Sequence, residues 1–182
     1  MDIFLVRHGE AAATWGQHSD PGLSDLGRQQ ADAVVNFFAG SLPAGLKLVS
    51  SPLARARETA VPLAARLGLE PEVSAVFREI PSPVPLAERQ SWLRAFMAQQ
   101  WHEQTDDLHA WRRDMRDAVA QFSQPVVVFT HFLVINAIVG DVLNKPETLV
   151  FYPDNGSVTH LRRKAGELAL IALGDQMSTV VN

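Results

Sequence analysis

Short apolar runs alternate with helix-period segments along this chain, which predicts an α/β fold. The expected form is a three-layer sandwich: a mostly parallel central sheet, helices on both faces and a small helical cap. Two runs carry most of that prediction. Asp2–Val6 and Pro125-Val126-Val127-Val128-Phe129 are near-continuous apolar segments, as strands buried on both faces are. The third observation is a helical stripe, in which Leu108, Trp111, Met115, Val119 and Phe122 recur at three- and four-residue spacing.

The elements follow in order. Asp2–Val6 is a buried strand that delivers Arg7 and His8 at its C-terminal end. Residues 9–22 hold three glycines and a proline and read as a loop. A helix capped by Ser24 is expected to bury Leu26, Ala33, Val34 and Phe37. Leu46–Val49 is a short second strand. Ser51 then reads as an N-cap with Pro52 at the first helical position, opening a helix towards Leu67-Gly68 that Pro62 should kink. Glu72–Phe77 is a candidate third strand. The three prolines of Ile80-Pro81-Ser82-Pro83-Val84-Pro85 force an extended loop. Two helical segments come next, then the 125–129 strand, then a helix from Phe132 to about Leu143. Val158–Leu161 and Leu168–Leu173 close the chain as a hairpin around Lys164-Ala165-Gly166.

At 182 residues, a single domain spanning 1–182 is expected, with a cap insertion at about 80–124. The net charge of −4 argues against nucleic-acid and anionic-membrane partners. The chain has no cysteine, so thiolate catalysis and Cys-based metal sites are ruled out. Arg7 ends the only apolar run near Met1, so a secretory signal is not expected and the protein reads as cytoplasmic. Trp92, Trp101 and Trp111 read as packing residues. His102, Asp106, Asp107 and His109 read as a solvated helix junction rather than metal ligands, and Arg162-Arg163-Lys164 as solvated charge.

Both long strands end in histidine, as Val6-Arg7-His8-Gly9-Glu10 and Phe129-Thr130-His131. In open α/β sheets ligands bind beyond the carboxyl ends of strands, so both histidines point to one crevice. Arg55, in the first turn of the helix after the second strand, is expected at the same rim. Two histidines, two arginines and a helix N-terminus form an anion site, with phosphate the leading candidate.

With those segments in view, the chain resembles the histidine phosphatase superfamily, the phosphoglycerate mutase-like fold. The resemblance rests on Leu5-Val6-Arg7-His8-Gly9-Glu10, on Leu23-Ser24-Asp25-Leu26-Gly27 with Gln30-Ala31, and on Ser51-Pro52-Leu53 with Arg55-Ala56 and Thr59-Ala60. Glu79, Thr130-His131 and Asn155-Gly156-Ser157 complete it, in family order along nearly the whole chain. It implies His8 as a nucleophile that forms a phosphohistidine, suited to the task because an ordinary imidazole, with a pKa of roughly 6.5, offers a lone pair at neutral pH. It implies Arg7, His8, Arg55 and His131 as the phosphate site, with His131 donating to the charge that develops in the transition state. Glu79 would protonate the leaving oxygen and then activate water, with Glu10 and Glu88 as the alternative carboxylates. The arginines and histidines stand in for a cation, so neither metal nor cofactor is expected.

Departures from the family pattern concern the substrate pocket, to which Glu10, Thr14, Phe132 and Asn155 are assigned. Phe132 stands where many members have Gly, Ala11 and Ala12 replace a small hydroxyl residue, and Thr14 falls where mutases place Asn. The implied function is a metal-independent phosphomonoesterase acting on a small phosphorylated metabolite or a phosphohistidine protein. A mutase-type phosphotransferase and a non-catalytic phosphate-binding protein are the alternatives, since Arg89, Arg94, Arg112, Arg113 and Arg116 leave room for a second phosphate.

Overall fold

The structure, a computed structural model, describes residues 1–13, 20–40 and 42–177. Its six strands are β1 (Asp2–Arg7), β2 (Lys47–Ser50), β3 (Glu72–Val73), β4 (Val126–Thr130), β5 (Val158–Lys164) and β6 (Glu167–Ala172). They form one sheet in the order β3-β2-β4-β1-β5-β6. The four strands from β3 to β1 run parallel, and β5 and β6 are added antiparallel at one side. The fold is α/β with a mostly parallel sheet.

Alternation along the central strands separates two apolar layers. Ile3, Leu5, Val126 and Val128 face one side with Leu133, Met115 and Val119. Phe4, Val6, Val127 and Phe129 face the other with Val34, Leu63 and Ala60. Helices α1 (Asp25–Phe37) and α2 (Ala54–Leu67) cover the second face; α4 (Asp106–Gln121) and α5 (Phe132–Val142) cover the first. Helix α5 is buried without interruption from Phe132 to Gly140, because sheet and helix enclose it on opposite sides. The segment 80–124, which holds α3 (Arg89–Met97) and α4, shares this core through Leu93, Phe96, Trp101, Leu108, Met115 and Val119. Among the described residues, no helix is long and apolar enough to cross a membrane.

Four expectations change. In α1 the buried face is Gly27, Ala31 and Val34, followed by Phe38, whereas Ala33 is exposed and Leu26 and Phe37 lie about half exposed. The reason is a backbone approach that only glycine permits. A Cβ on Gly27 would come 2.1 Å from the Glu10 carbonyl oxygen, and one on Gly9 would come 2.4 Å from that of Gly27. The first turn of α1 therefore lies directly on the chain leaving β1. Helix α2 starts two residues later than expected, with Leu53 as its N-cap. Ser51 Oγ accepts from the Leu53 N–H at 3.3 Å, and the Asp20 carboxylate accepts from the Ala54 N–H at 2.9 Å. The helix then runs unbroken through Pro62. Strand β3 ends at Val73, and Ala75–Phe77 turn as a short 3-10 helix, because the Thr130 hydroxyl takes the Phe77 carbonyl at 2.8 Å. Last, Arg162 and Arg163 are tied rather than merely solvated. Arg162 pairs with Asp2 at 2.8 Å, and Arg163 donates to the Phe122 and Val119 carbonyls at the end of α4.

The Gly27 contact yields a test. Helix propensity alone favours Gly27→Ala by about 1 kcal/mol. The overlap with backbone opposes it by roughly 1–3 kcal/mol, because a main-chain atom cannot rotate away. We expect Gly27→Ala to lower Tm, by up to roughly 8 °C, in a thermal melt. A rise in Tm would show that α1 lifts freely from the Glu10 backbone.

Candidate active site

β1 and β4 are adjacent and parallel, with Arg7 opposite Thr130, so the residues that leave them stand side by side. The His8 N–H donates to the Thr130 carbonyl at 3.0 Å, and Arg7 is clamped from its other side through its N–H to Ser157 and its carbonyl to the Gly156 N–H. Asn155 Nδ2 donates to the His8 carbonyl at 3.0 Å. The backbone at Arg7-His8 is thereby held by two different segments before any side chain is considered.

His8 is buried, and its orientation is determined by hydrogen bonds on both ring nitrogens. Nδ1 lies 2.7 Å from the Gly9 carbonyl, an acceptor only, so Nδ1 carries the proton. Nε2 is therefore the lone-pair nitrogen, and Arg55 Nε donates to it at 3.1 Å. Arg55 reaches His8 from the first turn of α2. One helical turn on, Thr59 Oγ1 donates to the Arg55 carbonyl at 2.6 Å and accepts from the Gly9 N–H at 3.0 Å. The i, i+4 spacing of Arg55 and Thr59 puts both on the face that meets the loop after β1.

Arg7 is buried beneath this pair. Its Nη1 donates to the Pro153 carbonyl at 2.7 Å and to Met177 Sδ at 3.3 Å, and its guanidinium carbon lies 5.1 Å from the Phe132 ring centroid. Its Nε has no partner. His131 is fully buried, 5.1 Å from His8 between ring centroids. Its Nε2 lies 2.7 Å from Ser51 Oγ, while its Nδ1 is buried without a partner. Arg7 Nε and His131 Nδ1 are thus buried nitrogens that no protein group satisfies.

Glu79 completes the cluster. It is buried, its Oε1 accepts from the Ile80 N–H at 3.0 Å, and it also takes the Leu133 N–H at the start of α5. The other assigned residues lie elsewhere. Glu10 is exposed, its carboxylate accepting from the Ser24 hydroxyl at 2.7 Å at the start of α1. Glu88 is exposed at the end of the 3-10 turn Leu86–Glu88. Phe132 is buried between Arg7 and Tyr152, and Asn155 positions the His8 backbone. Thr14 lies outside the described residues. Sequence reasoning did not find the contact of Ser51 with His131, because a Ser-Pro pair before a helix is already explained as a cap. Among the described residues, no group of three or more His, Asp or Glu side chains is placed to hold a metal ion.

Burial dominates the proton affinities. It pushes the His8 imidazole well below its ordinary value, and the charges of Arg55 and Arg7 push it further, against the Gly9 hydrogen bond. His131 is lowered in the same way, by burial first, then by His8, Arg55, Arg7 and Arg78. Burial lowers Arg7 to about 10, which leaves it charged at neutral pH. Glu79 moves up, since burial outweighs its two backbone donors and the charges of Arg55 and Arg89. The site therefore favours neutral imidazoles and raises the proton affinity of the carboxyl group beside them.

These directions make stability depend on pH. Unfolded histidine titrates near ~6.5. A depressed folded-state pKa means stability that is present above that pH and lost as pH falls, because only the unfolded chain then takes up the protons. Each of His8 and His131 contributes a slope of about 1.4 kcal/mol per pH unit below it. Glu79 acts oppositely above its ordinary value of 4.5, since the folded chain keeps a proton that the unfolded chain releases. Two groups against one leave a net loss on acidification from pH 6.5 to 5. Urea titrations should show it, and His131→Gln should reduce the slope. Equal stability at pH 5 and 7 would mean that a buried imidazole accepts a proton in the fold.

Comparison with known proteins gives the family and the fold. A relative from Mycolicibacterium vanbaalenii, a glucosyl-3-phosphoglycerate phosphatase, is 38% identical over 81 residues, which is 42% of this chain and 35% of that protein. The chain spans about a third or less of the length of the curated relatives it matches. Among solved structures, a mycobacterial glucosyl-3-phosphoglycerate phosphatase complexed with VO3 superposes with a TM-score of 0.72 at 26% identity, covering 97% of this chain and 99% of that one. A phosphoserine phosphatase from Entamoeba histolytica in complex with 3-phosphoglyceric acid shares the fold, with a TM-score of 0.77 at 21% identity over 96% and 97% of the two chains. The family model of the histidine phosphatase superfamily (branch 1) matches residues 3–176. With that match running almost end to end, the chain belongs to the histidine phosphatase superfamily.

Proposed function

We infer that this protein is a phosphomonoesterase that works through a phosphohistidine on His8 and takes a small phosphorylated metabolite as substrate. The observation that carries this reading is the His8 ring itself. Its Nδ1 proton is held by the Gly9 carbonyl, which leaves the Nε2 lone pair facing Arg55 in a buried site with Arg7, His131 and Glu79. When Arg55 turns from Nε2 to a phosphoryl oxygen, the lone pair is freed to attack phosphorus. As the P–N bond forms and the P–O ester bond breaks, Glu79 gives its proton to the leaving oxygen. Water then attacks phosphorus, Glu79 takes the proton back, and the bonding pair returns to Nε2. Arg7, Arg55 and His131 offset the charge on the equatorial oxygens in both steps. The names of the relatives favour a small phosphorylated metabolite over a phosphohistidine protein.

The test is hydrolysis of p-nitrophenyl phosphate in EDTA, followed by a panel of sugar phosphates, phosphoglycerate derivatives, phosphoserine and a phosphohistidine protein. Acid quench and mass spectrometry should find the phosphoryl group on His8. Release of inorganic phosphate with turnover separates this reading from a mutase, which retains the phosphate on its product. Binding of phosphate esters without turnover would overturn it.

A further inference from the structure

We propose that Ser51 is a positioning residue that holds His131 as the neutral tautomer protonated on Nδ1, making that N–H the donor to the transferring phosphoryl group. The proposal deepens the phosphatase reading and rests on it for its catalytic part, while the tautomer is a property of the protein alone. It begins from hydrogen-bond accounting in a fully buried pair, since Ser51 and His131 are both at 0% exposure.

Ser51 Oγ has two neighbours, the Leu53 N–H at 3.3 Å and His131 Nε2 at 2.7 Å. The first can only donate, so Ser51 accepts there. A serine hydroxyl has one proton to give, and His131 Nε2 is the neighbour positioned to receive it. Given that way, the proton satisfies Ser51 completely and makes Nε2 an acceptor, which places the imidazole proton on Nδ1. The reverse arrangement has His131 Nε2–H donating. It leaves the serine proton without an acceptor and Nδ1 as a bare lone pair where phosphoryl oxygens would repel it. Nδ1 is also the nitrogen that remains unpartnered, in a ring whose centroid lies 5.1 Å from that of His8. The serine itself is fixed, because its N–H donates to the Phe129 carbonyl at 2.9 Å and its carbonyl accepts the Ser50 hydroxyl at 2.9 Å. The last residues of β2 and β4 therefore hold the hydroxyl and the imidazole in register.

Long-range proton–nitrogen NMR on histidine-labelled protein reads the tautomer directly, with His131 assigned by comparison with His131→Gln. The wild type should show His131 neutral with Nδ1 protonated from pH 6 to 8. Ser51→Ala should shift it to the Nε2–H form or to a mixture. It should also lower kcat on p-nitrophenyl phosphate by roughly 10- to 100-fold with a smaller change in KM, the size expected for misorienting one transition-state donor. Ser51→Thr keeps the hydroxyl and should restore both readouts, and circular dichroism checks that the variants fold. A wild-type spectrum with His131 protonated on Nε2 overturns the proposal. So does a Ser51→Ala enzyme with unchanged tautomer and unchanged kcat. If His8→Ala retains hydrolysis, the assignment of His8 as nucleophile fails instead, and the tautomer result stands apart from it.

Discussion

Replacing His8 by Ala should lower kcat on p-nitrophenyl phosphate by about 10⁴-fold or more, because it removes the atom that attacks phosphorus. No neighbour can substitute. His131 lies 5.1 Å away with its Nε2 committed to Ser51, and Arg7 and Arg55 have no lone pair to offer. The phosphate site should outlast the nucleophile. Arg7 is anchored by the Pro153 carbonyl, and Arg55, though it loses its bond to His8, keeps its place on α2 with Asp20 3.9 Å from its Nη1. Inorganic phosphate should therefore still bind His8→Ala, within about tenfold of its affinity for the wild type, as a calorimetric titration can show. That dissociation of binding from turnover is the signature of a nucleophile. Activity within tenfold of the wild type would remove His8 from that role, and joint loss of binding and turnover would make it a structural residue.

The parts of this site that could be read from the sequence are those whose signal is short-range. An apolar run such as Asp2–Val6 names its own end, so Arg7, His8 and His131 are legible as strand-end residues from the sequence alone. What stayed hidden depends on contacts between distant segments. The buried face of α1 was misread because Leu26 and Phe37 are larger than Gly27 and Ala31, and size is a poor guide where the backbone itself makes the contact. The third strand was overextended because Phe77 is apolar and strand-like locally, while Thr130, 53 residues away, draws its carbonyl into a turn. Ser51 was explained too early by local chemistry, whose claim on the hydroxyl looked sufficient. Asn155 and Glu10, both assigned to the pocket, differ for the same reason. One reaches the His8 backbone across 147 positions; the other is held by Ser24 at the surface.

Glu79→Gln should lower kcat on an alkyl phosphate by about 10²- to 10⁴-fold, and should slow the first release of nitrophenolate from p-nitrophenyl phosphate, read as a burst, much less. The difference follows from the leaving group. An alkoxide needs a proton as the ester bond breaks, whereas a nitrophenolate is stable without one. Gln keeps the acceptor oxygen for the Ile80 N–H but carries no transferable proton, so position is retained and chemistry is lost. The pH profile separates Glu79 from the other carboxylates. His8 must be neutral to attack, and its pKa is held well below 6.5, so the acid limb of kcat/KM should lie below that value. Glu79 must be protonated to donate, and its pKa is raised from 4.5, so the alkaline limb should lie above that value. In Glu79→Gln the alkaline limb should disappear while the acid limb stays. Glu10→Gln and Glu88→Gln should keep both, because each of those carboxylates is exposed and away from the buried histidines. An alkaline limb that survives in Glu79→Gln and vanishes in Glu88→Gln would transfer the acid role to the turn before α3. The deciding physical fact is burial. Of these three carboxylates only Glu79 is buried, and that burial raises its proton affinity beside the histidines and arginines of the site.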